Sequence, residues 1–142
     1  MEIAFDEAKA AFQRGEVPVG AVILKQGQVI ARDGNRVIEL GDPTAHAEMM
    51  VIRSACKRLQ DVRLSDCDMY VTLEPCMMCT CAVSLARIGK LYYSASNVRD
   101  GAVDTKASFF SMKLCHHVPE VYEGFMAEKS AELLRVFFSG LR

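Results

Sequence analysis

Two short clusters of metal-binding residue types constrain this chain more than any other feature of it. They are Thr44-Ala45-His46-Ala47-Glu48 and Pro75-Cys76-Met77-Met78-Cys79, about thirty positions apart. Both lie near predicted helix starts that follow strands, so a fold that uses both must bring two helix N-termini to one point. One His and two Cys make a mixed nitrogen and thiolate set of the kind zinc accepts, and a site with three protein ligands keeps its fourth position for water, as catalytic sites do. Cys76 and Cys79 stand at i and i+3, so a helix presents both sulfurs on one face, and the helix N-terminus stabilises thiolate charge. Bound zinc lowers the pKa of its water to about 7 and so supplies hydroxide at neutral pH. Glu48, two residues past His46, would point away from it on an ideal helix. The two converge only if His46 lies at the irregular helix start, and there Glu48 can serve as a proton shuttle.

Each cluster alone has a plainer explanation. A single His on a helix usually packs, and a single Cys-x-x-Cys is often a structural zinc half-site or a redox pair. A structural zinc needs a fourth ligand, for which Cys81, His116 and His117 are the candidates. Cys81 follows Cys79 by two residues and should project to the other side of the helix. A redox pair leaves His46 and Glu48 without a role, whereas a catalytic metal site gives one to every member. The 6 cysteines could also suggest disulfides, but three of them crowd into one run and no secretory signal precedes them.

At 142 residues and 51% hydrophobic, the chain is long enough for one sizeable core and too short for two ordinary domains, so one globular domain over residues 1–142 is expected. With 17 Lys+Arg against 18 Asp+Glu the net charge is -1, which gives no global pull toward phosphate backbones. Any nucleic-acid contact must be local. The longest apolar stretch, Val17 to Leu24, is interrupted by Pro18 and Gly20 and is far shorter than the roughly 20 residues a membrane span needs. The N-terminus lacks the basic and apolar regions of a secretory signal, so a cytoplasmic protein without a membrane partner is expected.

Ile3, Ala4, Ala8, Ala11 and Phe12 recur at helical spacing, with Gly15 where a helix C-cap is expected. Val17 to Leu24 and Val29-Ile30-Ala31 read as two strands joined by a tight turn over Lys25-Gln26-Gly27-Gln28. A second helix should begin at Asp42-Pro43-Thr44, capped by Asp42 or Thr44, and run to about Leu59. Met69 to Leu73 is a buried strand, Pro75 fits the first turn of a helix reaching about Arg87, and Leu91-Tyr92-Tyr93 is a further strand. A long loop leads to Pro119, then Val121-Tyr122 and a last helix with Met126, Ser130, Leu133, Leu134, Phe137 and Phe138 on one face. The pattern is α/β, with helices covering a sheet.

Together the His-x-Glu and Pro-Cys-x-x-Cys clusters form the zinc deaminase signature. Beyond it the chain resembles the bacterial tRNA-specific adenosine deaminase family, within the cytidine/deoxycytidylate deaminase zinc-binding superfamily. The likeness runs through Val17-Pro18-Val19-Gly20-Ala21-Val22, Gly34-Asn35-Arg36, Asp42 to Glu48, Thr72-Leu73-Glu74-Pro75-Cys76, Arg87-Ile88-Gly89, Cys115-His116-His117, Pro119-Glu120-Val121-Tyr122 and the final Leu133 to Phe138 helix. It implies a three-layer α/β/α cytidine-deaminase-like fold with a mixed sheet of about five strands, and a homodimer with one Zn2+ per subunit. The implied reaction is hydrolytic deamination of adenosine to inosine at the wobble position of a tRNA anticodon, with His46, Cys76 and Cys79 as metal ligands and Glu48 passing protons to the ring nitrogen and the departing amine. An anticodon loop suits such an enzyme because a base in a single strand costs little to extrude.

By the same likeness Asn35 hydrogen-bonds the target nucleotide, and Val19-Gly20-Ala21 lines the base pocket, where Gly20 lets main chain approach and a backbone amide polarises the base. His116 and His117 lie by likeness on the RNA-facing loop, although zinc ligation and loop hydrogen bonding stay open for them. Glu74 could serve structure or substrate, and spacing does not separate these. Phe109 and Phe110 are expected to anchor a loop in the core rather than to stack on bases. Asn97 stands where many relatives carry Asp, and the last helix offers few basic residues, Arg135 and Arg142 among them, so any RNA grip would rest on Arg53, Lys57, Arg58, Arg99, Lys106 and Lys113. One rival is a zinc deaminase of a free base or nucleoside of guanine or cytosine type, because pocket shape decides substrate. Another, a non-enzymatic zinc-stabilised RNA-binding subunit, would leave Glu48 without a use.

Overall fold

In the computed structural model, which describes residues 1–141, the expected early hairpin forms one side of a single sheet. Its strands are β1 (Gly20–Lys25) and β2 (Gln28–Gly34), joined at Gln26-Gly27 and paired antiparallel with a bulge between Ile23 and Leu24. The first strand starts later than its apolar run because Pro18 has no N–H to give a ladder. The sheet continues through β3 (Cys67–Leu73), β4 (Lys90–Ala95) and β5 (Glu120–Glu123) in the order β2-β1-β3-β4-β5. β1 and β3 are antiparallel, whereas β3, β4 and β5 run parallel, so the sheet is mixed with five strands, as expected.

Side-chain alternation assigns the faces. Ala21 and Ile23 of β1, Met69 and Val71 of β3, and Leu91 and Tyr93 of β4 are buried together with α3 (Ala47–Leu59) and α4 (Met77–Leu85). The opposite face carries α1 (Glu2–Gln13) and α5 (Ala127–Gly140), which meet edge-to-face through Phe12 and Phe137 at 5.6 Å between ring centroids. The result is three layers, α/β/α. Phe109 is buried and Phe110 packs against the main core, at a short 3-10 turn, as loop anchors should.

Three local details depart from the sequence reading. Helix α3 begins at Ala47 rather than at Asp42 or Thr44, because the Asp42 carboxylate accepts from both the Thr44 amide and the Thr44 hydroxyl and closes a turn that ends before the helix. The stretch between Gly34 and Gly41, which has no apolar periodicity to announce a helix, contains one helical turn, α2 (Val37–Leu40), held by the buried Glu16 carboxylate, which accepts from the amides of Ile38 (2.9 Å) and Glu39 (2.8 Å). The apolar face expected on α5 is only partly covered: Ser130 and Phe137 are buried, whereas Phe138 is exposed. Arg142 lies outside the described residues.

Candidate active site

The two helices that start behind β1–β2 and β3 supply the metal-binding groups from their first residues. His46 is the N-cap of α3 with extended backbone (φ -71°, ψ 153°), and Cys76 is the N-cap of α4 with φ -73° and ψ 174°. The geometric demand on Glu48 is therefore met. His46 stands just outside the helix while Glu48 is its second residue, so the two side chains are not separated by the 200° that two helical steps would impose.

His46 Nδ1 lies 3.6 Å from Cys76 Sγ and 3.6 Å from Cys79 Sγ. The three donor atoms all lie within 4.8 Å of one another, and they are the cluster of this kind found among the described residues. A tetrahedral zinc with sulfur and nitrogen at their usual bond lengths sets sulfur and nitrogen about 3.6 Å apart, so these three donors fit that ion as they stand. Cys81 is not part of the group, consistent with its position two residues beyond Cys79. His117 is committed elsewhere, its Nε2 2.7 Å from the Ile88 carbonyl, and His116 is exposed.

The electrostatics of the cluster suit a cation. The thiol of Cys79, hydrogen-bonded to Cys76, is held well above its ordinary range, while that bond and the neighbouring His46 draw the Cys76 pKa down to about 4. Negative charge is thus drawn to Cys76, beside the imidazole. Glu48 is 4% exposed, and burial pushes its pKa up to about 7, with the charge at Cys76 adding to the rise. A carboxyl titrating near neutrality can both take and return a proton.

These groups sit in a cavity of about 630 Å³, within the range of pockets that hold small molecules. His46, Glu48 and Cys76 line it, together with Val19, Asn35 and Val37 on one side and Ser96, Asn97 and Val98 on another. Helix α5 contributes Leu134, Phe137 and Phe138. That contribution was not legible in the sequence, where the same face reads as core alone. Asn35 is nearly buried, and its Oδ1 accepts from the Ala47 amide at 2.8 Å, which caps α3 from outside. Because that partner is a donor, the amide orientation is fixed, and among the described residues Nδ2 has no protein partner on the cavity wall.

Gly20 and Ala21 are placed differently from the expectation. Neither lines the cavity, whereas Val19 does. Ala21 is fully buried in the core, and the Gly20 amide donates to Thr72 Oγ1 at 3.1 Å, so it is not free to polarise a base. Gly20 is needed for another reason: a Cβ there would run into the backbone of α1 at Ala4 and Ala8. Three of the expected RNA-binding cations have partners within the protein: Arg58 donates to the Val29 and Ile30 carbonyls, Arg53 lies 3.8 Å from the Asp42 carboxylate, and Arg99 lies 3.2 Å from that of Asp100.

Residues 1–95 match the family model for the cytidine and deoxycytidylate deaminase zinc-binding region. The chain is 55% identical to a tRNA-specific adenosine deaminase of Agrobacterium fabrum over 97% of its own length and 91% of the relative's. A solved structure from a study of A-to-I editing by wobble-position tRNA deaminases superposes with TM-score 0.93 at 54% identity, covering 94% of this chain and 97% of that one. The structure of a guanine deaminase from Bacillus subtilis is more distant, with TM-score 0.66 and 32% identity over 95% of this chain and 89% of that one. With a three-donor centre built on two helix starts, a buried carboxylic acid beside it and this ranking of relatives, the chain belongs to the tRNA-specific adenosine deaminases of the cytidine and deoxycytidylate deaminase zinc-binding family.

Proposed function

We propose that this protein hydrolyses the 6-amino group of an adenosine at the wobble position of a tRNA anticodon, leaving inosine and releasing ammonia. The observation that carries the chemistry is the buried carboxyl of Glu48 beside the His46, Cys76 and Cys79 donors at one cavity wall. The substrate rests on full-length likeness to the tRNA deaminases, which exceeds the likeness to a guanine deaminase.

His46, Cys76 and Cys79 would hold one zinc per subunit, and zinc when bound supplies a hydroxide at neutral pH. Glu48 takes up the proton released from the water and gives it to N1 of the adenine; it then takes the second proton from the new C6 hydroxyl and gives it to the amino group, which leaves as ammonia, so C6 exchanges nitrogen for oxygen. Asn35 orients the nucleotide through its Nδ2, the half of the amide not used in capping α3. Gly20 and Ala21 contribute through packing and not through contact. Helix α5 closes the cavity with Phe137 and Phe138, which keeps bulk water from an extruded base.

We further infer a cytoplasmic homodimer acting as one domain per chain. Exposed apolar Leu85, Leu114 and Val118 lie on segments tied together by the Ser84 hydroxyl, which donates to the His117 carbonyl at 2.8 Å, and support a protein contact there. No helix among the described residues is long and apolar enough to cross a membrane.

The test is a direct substrate comparison. The zinc-loaded protein is offered an anticodon stem-loop with a wobble adenosine, the same loop with guanosine there, and free guanine, cytosine and adenosine. Inosine in the first alone is expected, and deamination of a free base with no reaction on RNA would overturn the substrate assignment.

A further inference from the structure

Glu74 is an acidic residue, 1% exposed, that neither binds the metal cluster nor enters the proton transfers above. Its carboxylate is fully occupied. Oε2 accepts from the Asn97 amide at 2.9 Å and from the Thr105 hydroxyl, and Oε1 accepts from the Asp104 amide at 2.9 Å and the Thr105 amide at 3.0 Å. Its own backbone is held too, the amide donating to the Ala95 carbonyl at 2.8 Å. The segment from 97 to 105 is therefore wound around this one side chain. Gly101 sits at the centre of the wrap, where a Cβ would come within 2.6 Å of the Asn97 carbonyl oxygen and press on the carboxylate, and it pairs across an isolated bridge with Cys76. The first residues of the same segment, Asn97, Val98, Arg99 and Asp100, line the cavity.

Only a carboxylate satisfies every partner, since each oxygen faces at least one backbone N–H, which cannot accept. The geometry points to Glu74 as a positioning residue that fixes the 97–105 segment as the substrate-facing wall beside Cys76 and so sets how tightly the target nucleotide is held. This rests on the deaminase reading for its substrate, while the clasp itself rests on the hydrogen bonds alone. Glu74 is distinct from Glu48 in what it moves: it acts on the wall and leaves proton transfer to Glu48.

Glu74→Gln tests the inference because its defect has a predictable place. The Gln carbonyl is best placed at the Oε1 position, facing two amides, and its NH2 then faces the Thr105 hydroxyl, which can turn to accept, and the Asn97 N–H, which cannot. The Asn97 amide alone loses its partner. Amide hydrogen exchange should therefore speed up at Asn97 and stay slow at Asp104 and Thr105. On the anticodon stem-loop, KM should rise about tenfold, the scale of one buried donor left unpaired, with kcat within about threefold and zinc content unchanged. Thr105→Val, which deletes one donor and orphans nothing, should raise KM less and in the same direction, and it serves should the first variant not fold. Unchanged KM with unchanged exchange in either folded variant would overturn the proposal. So would loss of zinc or of kcat at constant KM, which would place Glu74 in the service of the metal turn. Should the native protein form no inosine, the substrate reading fails instead, and the exchange pattern still decides the clasp.

Discussion

Glu48 occupies a position that favours chemistry over stability. An acid whose folded pKa lies above its unfolded value contributes stability that is present at low pH and lost as pH rises, because the unfolded chain releases a proton the folded one keeps. For Glu48 the window runs from its ordinary value of 4.5 to about 7. The shift corresponds to about 3 kcal/mol once pH exceeds the upper limit. Glu48→Gln, in protein stripped of metal, should therefore unfold in urea like the native chain near pH 4.5 and be more stable by about that amount at pH 8. Parallel stability curves would contradict the burial argument. The grouping of His46, Cys76 and Cys79 was legible because ligand type and spacing are properties of sequence. The capping of α3 by Asn35 was not, since its Oδ1 partner, the Ala47 amide, lies twelve residues away and needs an outside acceptor only because a helix begins there. Gly20 differs from its expected place for a related reason: the residue type announces a close approach, and only the fold shows that α1 is what approaches.

Among the elements, the hairpin, β3, β4, α1 and the existence of α3 and α4 follow from apolar periodicity and turn residues. What periodicity misses are ends and short pieces decided by distant side chains. Helix α2 is the clearest case: it has no buried residue of its own, and the Glu16 carboxylate takes two of its N-terminal amides from across the fold. Glu16→Ala leaves those amides without that acceptor, and a cost of about 1–3 kcal/mol is expected in thermal unfolding. Because Val37 and Ile38 line the cavity, the same variant should weaken substrate binding. Unchanged stability would show that α2 holds without this contact. Helix α5 reads correctly as amphipathic, yet its apolar face is shared between α1 and the cavity, a division that no periodicity carries.

Across the whole molecule, the His46, Cys76 and Cys79 donors join two successive βα units that already share one sheet. His46 enters after the β1–β2 hairpin and Cys76 after β3, so an ion held by all three donors ties the two helix starts to each other and, through Cys76 and Gly101, to the wall segment. Binding to the folded state alone adds stability with ligand concentration, about 2.7 kcal/mol at a hundredfold excess over Kd. A chelator should accordingly lower the melting temperature by several degrees, and zinc should restore it. No change on chelation would mean that the donors are not a zinc site. The α/β class was legible at this scale because strands and helices alternate along the chain, whereas the three layers and the mixed sheet were implied by the family resemblance. The position of the long 97–105 segment was not, since the acceptor of its Asn97, Asp104 and Thr105 amides, Glu74, lies more than twenty residues earlier.

The most direct test of the account is inosine formation in a wobble-adenosine anticodon stem-loop by the zinc-loaded protein beside Glu48→Ala, with zinc content measured in both. The account predicts inosine from the native chain, loss of at least about two orders of magnitude in the variant, and equal zinc in each. Equal turnover by the two proteins would contradict the role of Glu48 and, with it, the reading of the site as a hydrolytic centre.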